Sequence, residues 1–231
     1  MISLIWPYWK RQEVADKSVA LLSEHYKDLD FELIVVDDGS PEPYRAPVTP
    51  FPLRVLRLSA KLGPLNPCVP INRGVEISRG DVIALSGADI LHTKPILRQM
   101  REELDDGDDR YVIAAVWHAE GKRWHCHSSY KRPDNGDVGS MLPPNADYHF
   151  MTMFHRSLWD RSGGFDEDYR DGAGYDDPDF VLRMNRVGAR FVRRDDLVAE
   201  HVRSGAHAEW KSEMFERNRK LFMSKWNEAG R

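Results

Sequence analysis

Residues 31–40 read FELIVVDDGS, and this stretch constrains the fold more than any other. Leu33 to Val36 is an unbroken apolar run rich in β-branched side chains. Such a run suits a strand buried on both faces, inside a parallel sheet. Asp37 and Asp38 end it abruptly, and Gly39-Ser40-Pro41 forces a turn. Two carboxylates are thus expected at the carboxyl end of a central strand, the edge at which open α/β sheets bind ligands. Taken alone, the pair is more simply read as turn capping. The rest of the chain decides otherwise.

Upstream, Ile2 to Trp6 predicts a first strand, ended by Pro7-Tyr8-Trp9, and Val14 to Tyr26 carries an approximate helical stripe. A β-α-β start implies a right-handed crossover with parallel strands, so the loops after both strands open on one edge. Downstream, Pro41 to Pro52 is a proline-rich loop. Further strands are predicted over Leu53–Leu58, Val82–Leu85, Tyr111–Trp117 and Ala189–Arg193, with Phe150–Phe154 also apolar. Helices are predicted over Val69–Ser78, Pro95–Leu104, Ser157–Arg161 and Pro178–Val187. A last helix over Ala208–Trp226 is expected to dock on the core. Between Ala119 and Asp147, periodic apolar residues give way to Gly, Pro, Asn and His, as in a long functional loop.

The 231 residues suffice for one large α/β domain or two small ones. A net charge of -4 gives no general attraction to nucleic acid. No apolar run is long enough to span a bilayer, and the start is too short in its apolar part for a signal peptide. Cys68 and Cys126 lie far apart in a thiol-poor chain, so a disulfide framework is not expected and a cytoplasmic location fits. His125-Cys126-His127 has no second Cys/His pair at finger-like spacing, which argues against zinc.

Four stretches, in order, resemble family 2 glycosyltransferases of the GT-A fold. They are ISLIWPYWKR, FELIVVDDGS, INRGVEISRGDVIALSGADILH and GGFDEDYRDGAGYDDPDFVLRMNRVGARFV. The resemblance implies an α/β fold with a mostly parallel central sheet flanked by helices, a C-terminal acceptor-side region and a docked terminal helix. It implies a single domain over 1–231, with a nucleotide-sugar-binding half at 1–110 and an acceptor-binding half at 111–231.

It also implies the chemistry: transfer of a sugar from a nucleotide-diphosphate sugar, UDP-sugars favoured, to an acceptor hydroxyl. Asp38 is expected to accept a hydrogen bond from the nucleobase, with Pro7 and Tyr8 lining its pocket and Asp37 holding the turn. Arg11 and Arg73 are candidates for the phosphates, against the plainer reading of solvent exposure. Asp89 is the expected metal-binding acid, although Gly87 stands where the family usually has the first acid of Asp-x-Asp. Mn2+ or Mg2+ is the expected ion, with His201, ahead of His207, as the second protein ligand. Asp177, at a helix start opened by Pro178, is the implied general base. Asp176 and Gly164 are acceptor-side candidates, and Asp179 has at most a supporting part.

One carboxylate base and no nucleophile pair imply inversion at the anomeric carbon. The chain has neither membrane helices nor Gln-x-x-Arg-Trp, so processive synthesis is not expected. The acceptor stays open among a glycan, a lipid-linked glycan, a protein and a modified nucleic acid. Two other readings stand beside this one. A non-catalytic nucleotide-sugar-binding module draws support from the missing first acid. A nucleotidyltransferase is disfavoured because no glycine-rich signature follows the first strand.

Overall fold

The computed structural model describes residues 1–61, 66–118, 138, 141–146, 150–202 and 212–226. The described strands form one eight-stranded sheet. In chain order they are β1 (Ile2–Tyr8), β2 (Phe31–Asp37), β3 (Leu53–Arg57), β4 (Val82–Ser86), β5 (Ile90–Leu91), β6 (Arg110–His118), β7 (Met151–His155) and β8 (Arg190–His201). Across the sheet the order is β3-β2-β1-β4-β7-β6-β8-β5. The β3-β2-β1-β4 half is parallel throughout. Beyond it β7 runs antiparallel to both β4 and β6, β8 runs parallel to β6, and β5 antiparallel to β8.

Among the described residues six α-helices cover the two faces: α1 (Gln12–His25), α2 (Cys68–Ile77), α3 (Ile96–Glu103), α4 (Arg156–Ser162), α5 (Asp176–Arg186) and α6 (Ser212–Trp226). The central strands bury alternate side chains on opposite faces, which is why they read as continuous apolar runs. Leu33 and Val35 of β2 join one core with Leu4 and Trp6 of β1, α1 residues Val19 and Leu22, and α3 residues Leu97 and Met100. Ile34 and Val36 join the other, with Ile71 and Val75 of α2, Trp159 of α4 and Phe180 of α5.

The elements agree with the sequence expectations in kind, with four corrections at their ends. First, β1 continues through Pro7 to Tyr8, in register with β2 up to Tyr8↔Asp37. The Ile2 N–H donates to Asp30 O, and Tyr8 O accepts from the Asp38 N–H, so even-numbered residues of β1 bond toward β2. Pro7 faces the β4 side, where pairing ends at Ile5↔Leu85, and its missing N–H breaks no ladder bond. Second, β8 extends to His201 rather than stopping at Arg193. The partner of Ala114 is Arg194 and that of Ala115 is Val198, so the polar run in between is a bulge and the strand resumes beyond it. Third, the two-residue β5 was too short to read from the sequence. Fourth, α5 begins at Asp176, two residues before Pro178.

Candidate active site

Because β1 and β2 are parallel, the residues after them share one edge. The Asp38 N–H donates to Tyr8 O (2.9 Å). Asp37 is fully buried and builds the turn: its carboxylate accepts the N–H groups of Ser40 (2.9 Å) and Tyr44 (3.0 Å) and lies 3.6 Å from Arg57. Asp38, only 4% exposed, has Lys61 Nζ 3.2 Å from Oδ2. The same ammonium lies 4.7 Å from the centre of the Trp9 ring, and Lys10 Nζ lies 4.3 Å from it. An indole and a carboxylate are thus linked through one lysine. Trp9, partly exposed, was not among the candidates read from the sequence. Its signal was a tryptophan directly after the strand-ending Pro7-Tyr8.

The Tyr8 ring is buried, 4.8 Å from the Tyr44 ring, and its backbone carbonyl meets Asp38. That burial raises its phenol above the usual tyrosine range. Pro7 stays partly exposed at the strand end.

The second acid comes from the turn after β4. The Ile90 N–H donates to Gly87 O (3.0 Å), and the Val202 N–H donates to Asp89 O (2.9 Å). Pairing of β5 with β8 sets Ile90 opposite His201. The result brings His201 Nε2 to 3.2 Å from Asp89 Oδ2, with the residues 6% and 7% exposed. Arg11, from the turn between β1 and α1, forms an ion pair with the same carboxylate oxygen. Burial holds the Arg11 guanidinium below its ordinary pKa. A Cβ on Gly87 would come within 2.4 Å of Asp89 Oδ1, so the residue in the first-acid position makes room for the second. His207 lies outside the described residues, as does His125-Cys126-His127.

A carboxylate oxygen and an imidazole nitrogen at this separation fit a divalent ion that keeps water and phosphate oxygens as its other ligands. Among the described residues no group of three or more His, Cys, Asp or Glu forms a fuller metal cage.

Asp176 and Asp177 occupy the first turn of α5, behind Tyr175 in the left-handed conformation (φ 66°). Asp176 is buried and Asp177 partly exposed. Cys68, at the start of α2, has its thiol raised first by burial and then by the charge of Asp176. Asp179 proves to be an anchor. It accepts from Tyr169 OH (3.2 Å), Trp226 Nε1 (2.8 Å) and Arg183 Nε (2.7 Å), joining α5 to α6.

The remaining two candidates are structural in their contacts. Gly164 has φ +72°, and a Cβ there would lie 2.7 Å from Trp159 Cζ2, so it serves a tight turn. Asn72 clasps that turn, accepting the Phe165 N–H (3.0 Å) and donating to Phe165 O (2.9 Å). Arg73 meets Glu76 (2.5 Å) and Glu167 (3.3 Å), rather than Asp38 or Asp89.

Comparison with known proteins places this sheet and its helices in a family. The family model described as Glycosyl transferase family 2 matches residues 3–165. The chain is a member of glycosyl transferase family 2. It is 26% identical over 120 residues to a dolichol-phosphate mannosyltransferase of Pyrococcus furiosus, covering 48% of this chain and 33% of that protein. In fold it is similar to S. aureus TarS 1–349 in complex with UDP-GlcNAc: TM-score 0.72, 15% identity, 97% of this chain and 66% of that one. It also resembles the mannosyltransferase PcManGT from Pyrobaculum calidifontis in complex with GDP-Man and Mn2+: TM-score 0.60, 17% identity, 96% of this chain and 61% of that one. The GT-A architecture is thereby shared. This family 2 chain spans a third of the curated mannosyltransferase and 39% of the longer TarS structure. Among its described residues no helix is long and apolar enough to cross a membrane.

Proposed function

We propose that the protein transfers a sugar from a nucleotide-diphosphate sugar, UDP-sugars first, to an acceptor hydroxyl with inversion and without processive elongation. The observation that carries this reading is the meeting of Asp89 and His201 at the same sheet edge as Asp38. Asp38 accepts a hydrogen bond from a nucleobase ring N–H, which uracil offers, while Trp9 supplies a face for stacking. Lys61 turns from Asp38 as the base enters. Asp89 and His201 would hold a divalent ion, Mn2+ or Mg2+, which would supply positive charge toward the departing diphosphate.

Asp177 takes the proton of the acceptor hydroxyl as the new bond to the anomeric carbon forms and the bond to diphosphate oxygen breaks. The nucleoside diphosphate leaves, and the proton stays on the Asp177 carboxylate. One base acting on the face opposite the leaving group gives inversion. The chain is read as one domain, its nucleotide half at 1–110 and its acceptor half at 111–231, with the Asp89–His201 pair crossing that boundary.

A binding module without turnover is the second reading, favoured by Gly87 in the place of the first acid. A thermal-shift panel of UDP, GDP, UDP-N-acetylglucosamine, UDP-glucose and GDP-mannose, with and without Mn2+, identifies the donor class, since a ligand of the folded state raises Tm. Release of nucleoside diphosphate from the best donor supports transfer. Saturable binding with no release supports the module, and release of pyrophosphate overturns both.

A further inference from the structure

The loop that delivers the acidic pair is gripped by one side chain from α6. Asn218 is 0% exposed. Its Nδ2 donates to Tyr169 O (2.9 Å) and Gly174 O (2.9 Å), the two ends of the segment leading into Tyr175 and α5. Its Oδ1 accepts from Arg217 Nη1 (2.8 Å), so the amide orientation is fixed by a charged donor at one end and two carbonyls at the other. Between those ends, a Cβ on Gly172 would lie 2.1 Å from Asn218 Oδ1, so a side chain there would displace the amide. The Ala173 N–H donates to Met214 O (3.2 Å), which ties the middle of the loop to the same helix. The rings of Phe215 and Phe222, also on α6, lie 4.9 Å and 5.5 Å from the ring of Tyr175.

We infer that Asn218 is a positioning residue for Asp177: α6, through this amide, fixes the loop whose last residue opens α5. The inference rests on Asp177 being the base. The chain reverses direction through Gly174 (φ 64°) and Tyr175 (φ 66°) just before the acidic pair. Left-handed backbone at a non-glycine residue persists only where its surroundings impose it. The two carbonyl contacts of Asn218 and the aromatic packing on Tyr175 are those surroundings. Without the amide, Tyr169 O keeps the Gly172 N–H (3.1 Å) but it and Gly174 O lose their tie to α6, and the first turn of α5 is free to shift. A shift of about 1 Å in a reacting group can cost ~10²-fold in rate.

A double-mutant cycle tests this, with nucleoside diphosphate release from UDP-N-acetylglucosamine or GDP-mannose, whichever is the better donor, as the readout and water as acceptor. Asn218→Ala is expected to lower kcat about tenfold to a hundredfold while leaving the donor KM within about twofold. Combined with Asp177→Asn, it is expected to add almost nothing, because a base that is absent cannot be misplaced. Gly172→Ala reaches the same contact from the loop side and is expected to repeat the kcat loss, which keeps the test open if Asn218→Ala fails to fold. A normal kcat in a folded Asn218 or Gly172 variant, or a loss that adds fully to that of Asp177→Asn, overturns the inference. Normal turnover in Asp177→Asn alone overturns the base assignment instead, and the two failures are thereby distinct.

Discussion

His201 Nε2 lies 3.2 Å from Asp89 Oδ2 across 112 residues of sequence, because β5 pairs Ile90 directly with His201. If these two hold the ion, Mn2+ should tighten UDP binding, and Asp89→Asn should weaken Mn2+-supported binding by about tenfold or more, since even outer-shell partners of metals are worth ~10–100-fold. Titration calorimetry with and without chelator checks this. Chelator-insensitive affinity and turnover would leave the Asp89 carboxylate with Arg11 as its working partner.

The base pocket gives a second prediction. Asp38→Ala should weaken UDP binding with the protein still folded, and Trp9→Ala should do so independently, by an amount in the range of ~1–3 kcal/mol for base–aromatic stacking. Calorimetry on both variants decides. Unchanged affinity in either removes that residue from the pocket.

A third prediction concerns stability. Asp179 holds Tyr169, Trp226 and Arg183 at once. Asp179→Ala leaves those donors without their acceptor, at a cost of about 3 kcal/mol. Its urea midpoint should fall well below that of the parent, and an unchanged midpoint contradicts the anchoring role.

The fourth is a pH dependence. His92 is fully buried, its Nδ1 3.0 Å from Tyr26 OH, and burial together with the nearby His25 lowers its pKa from 6.5 to about 3. The unfolded chain takes up a proton below pH 6.5 that the folded chain does not accept until about pH 3. Stability from this group is therefore full above pH 6.5 and lost as pH falls toward 3, at up to about 1.4 kcal/mol per pH unit. Urea unfolding between pH 7 and 4 should show a shallower slope in His92→Gln than in the parent. Equal slopes contradict it.

What could be read in advance follows from how local each cause is. β2 and the turn at Asp37-Asp38 were legible because the buried run and its turn residues are contiguous. Asp89 was legible for the same reason, at the end of β4. The extent of β8 was not, because the bulge at Asp195–Leu197 reads as a loop until β6 supplies a partner on both sides of it. That Tyr44 packs on the Tyr8 ring was not legible, because nothing local brings the two together. Asp179 and Asn218 carried no signal, since their partners come from α6 and from the loop before α5, many residues away. Trp9 was visible as a residue, but its place depends on Lys61 reaching both it and Asp38.

Everything proposed for the reaction turns on Asp177 as the base. Asp177→Asn keeps the shape and removes the proton acceptor, at the first turn of a helix whose Asp176 and Asp179 remain to hold it. The single-turnover rate of nucleoside diphosphate release should fall ~10²–10⁴-fold, while the affinity for the donor, read by calorimetry on the same preparation, stays within about twofold of the parent. A near-normal rate, or a defect confined to donor affinity, contradicts the account.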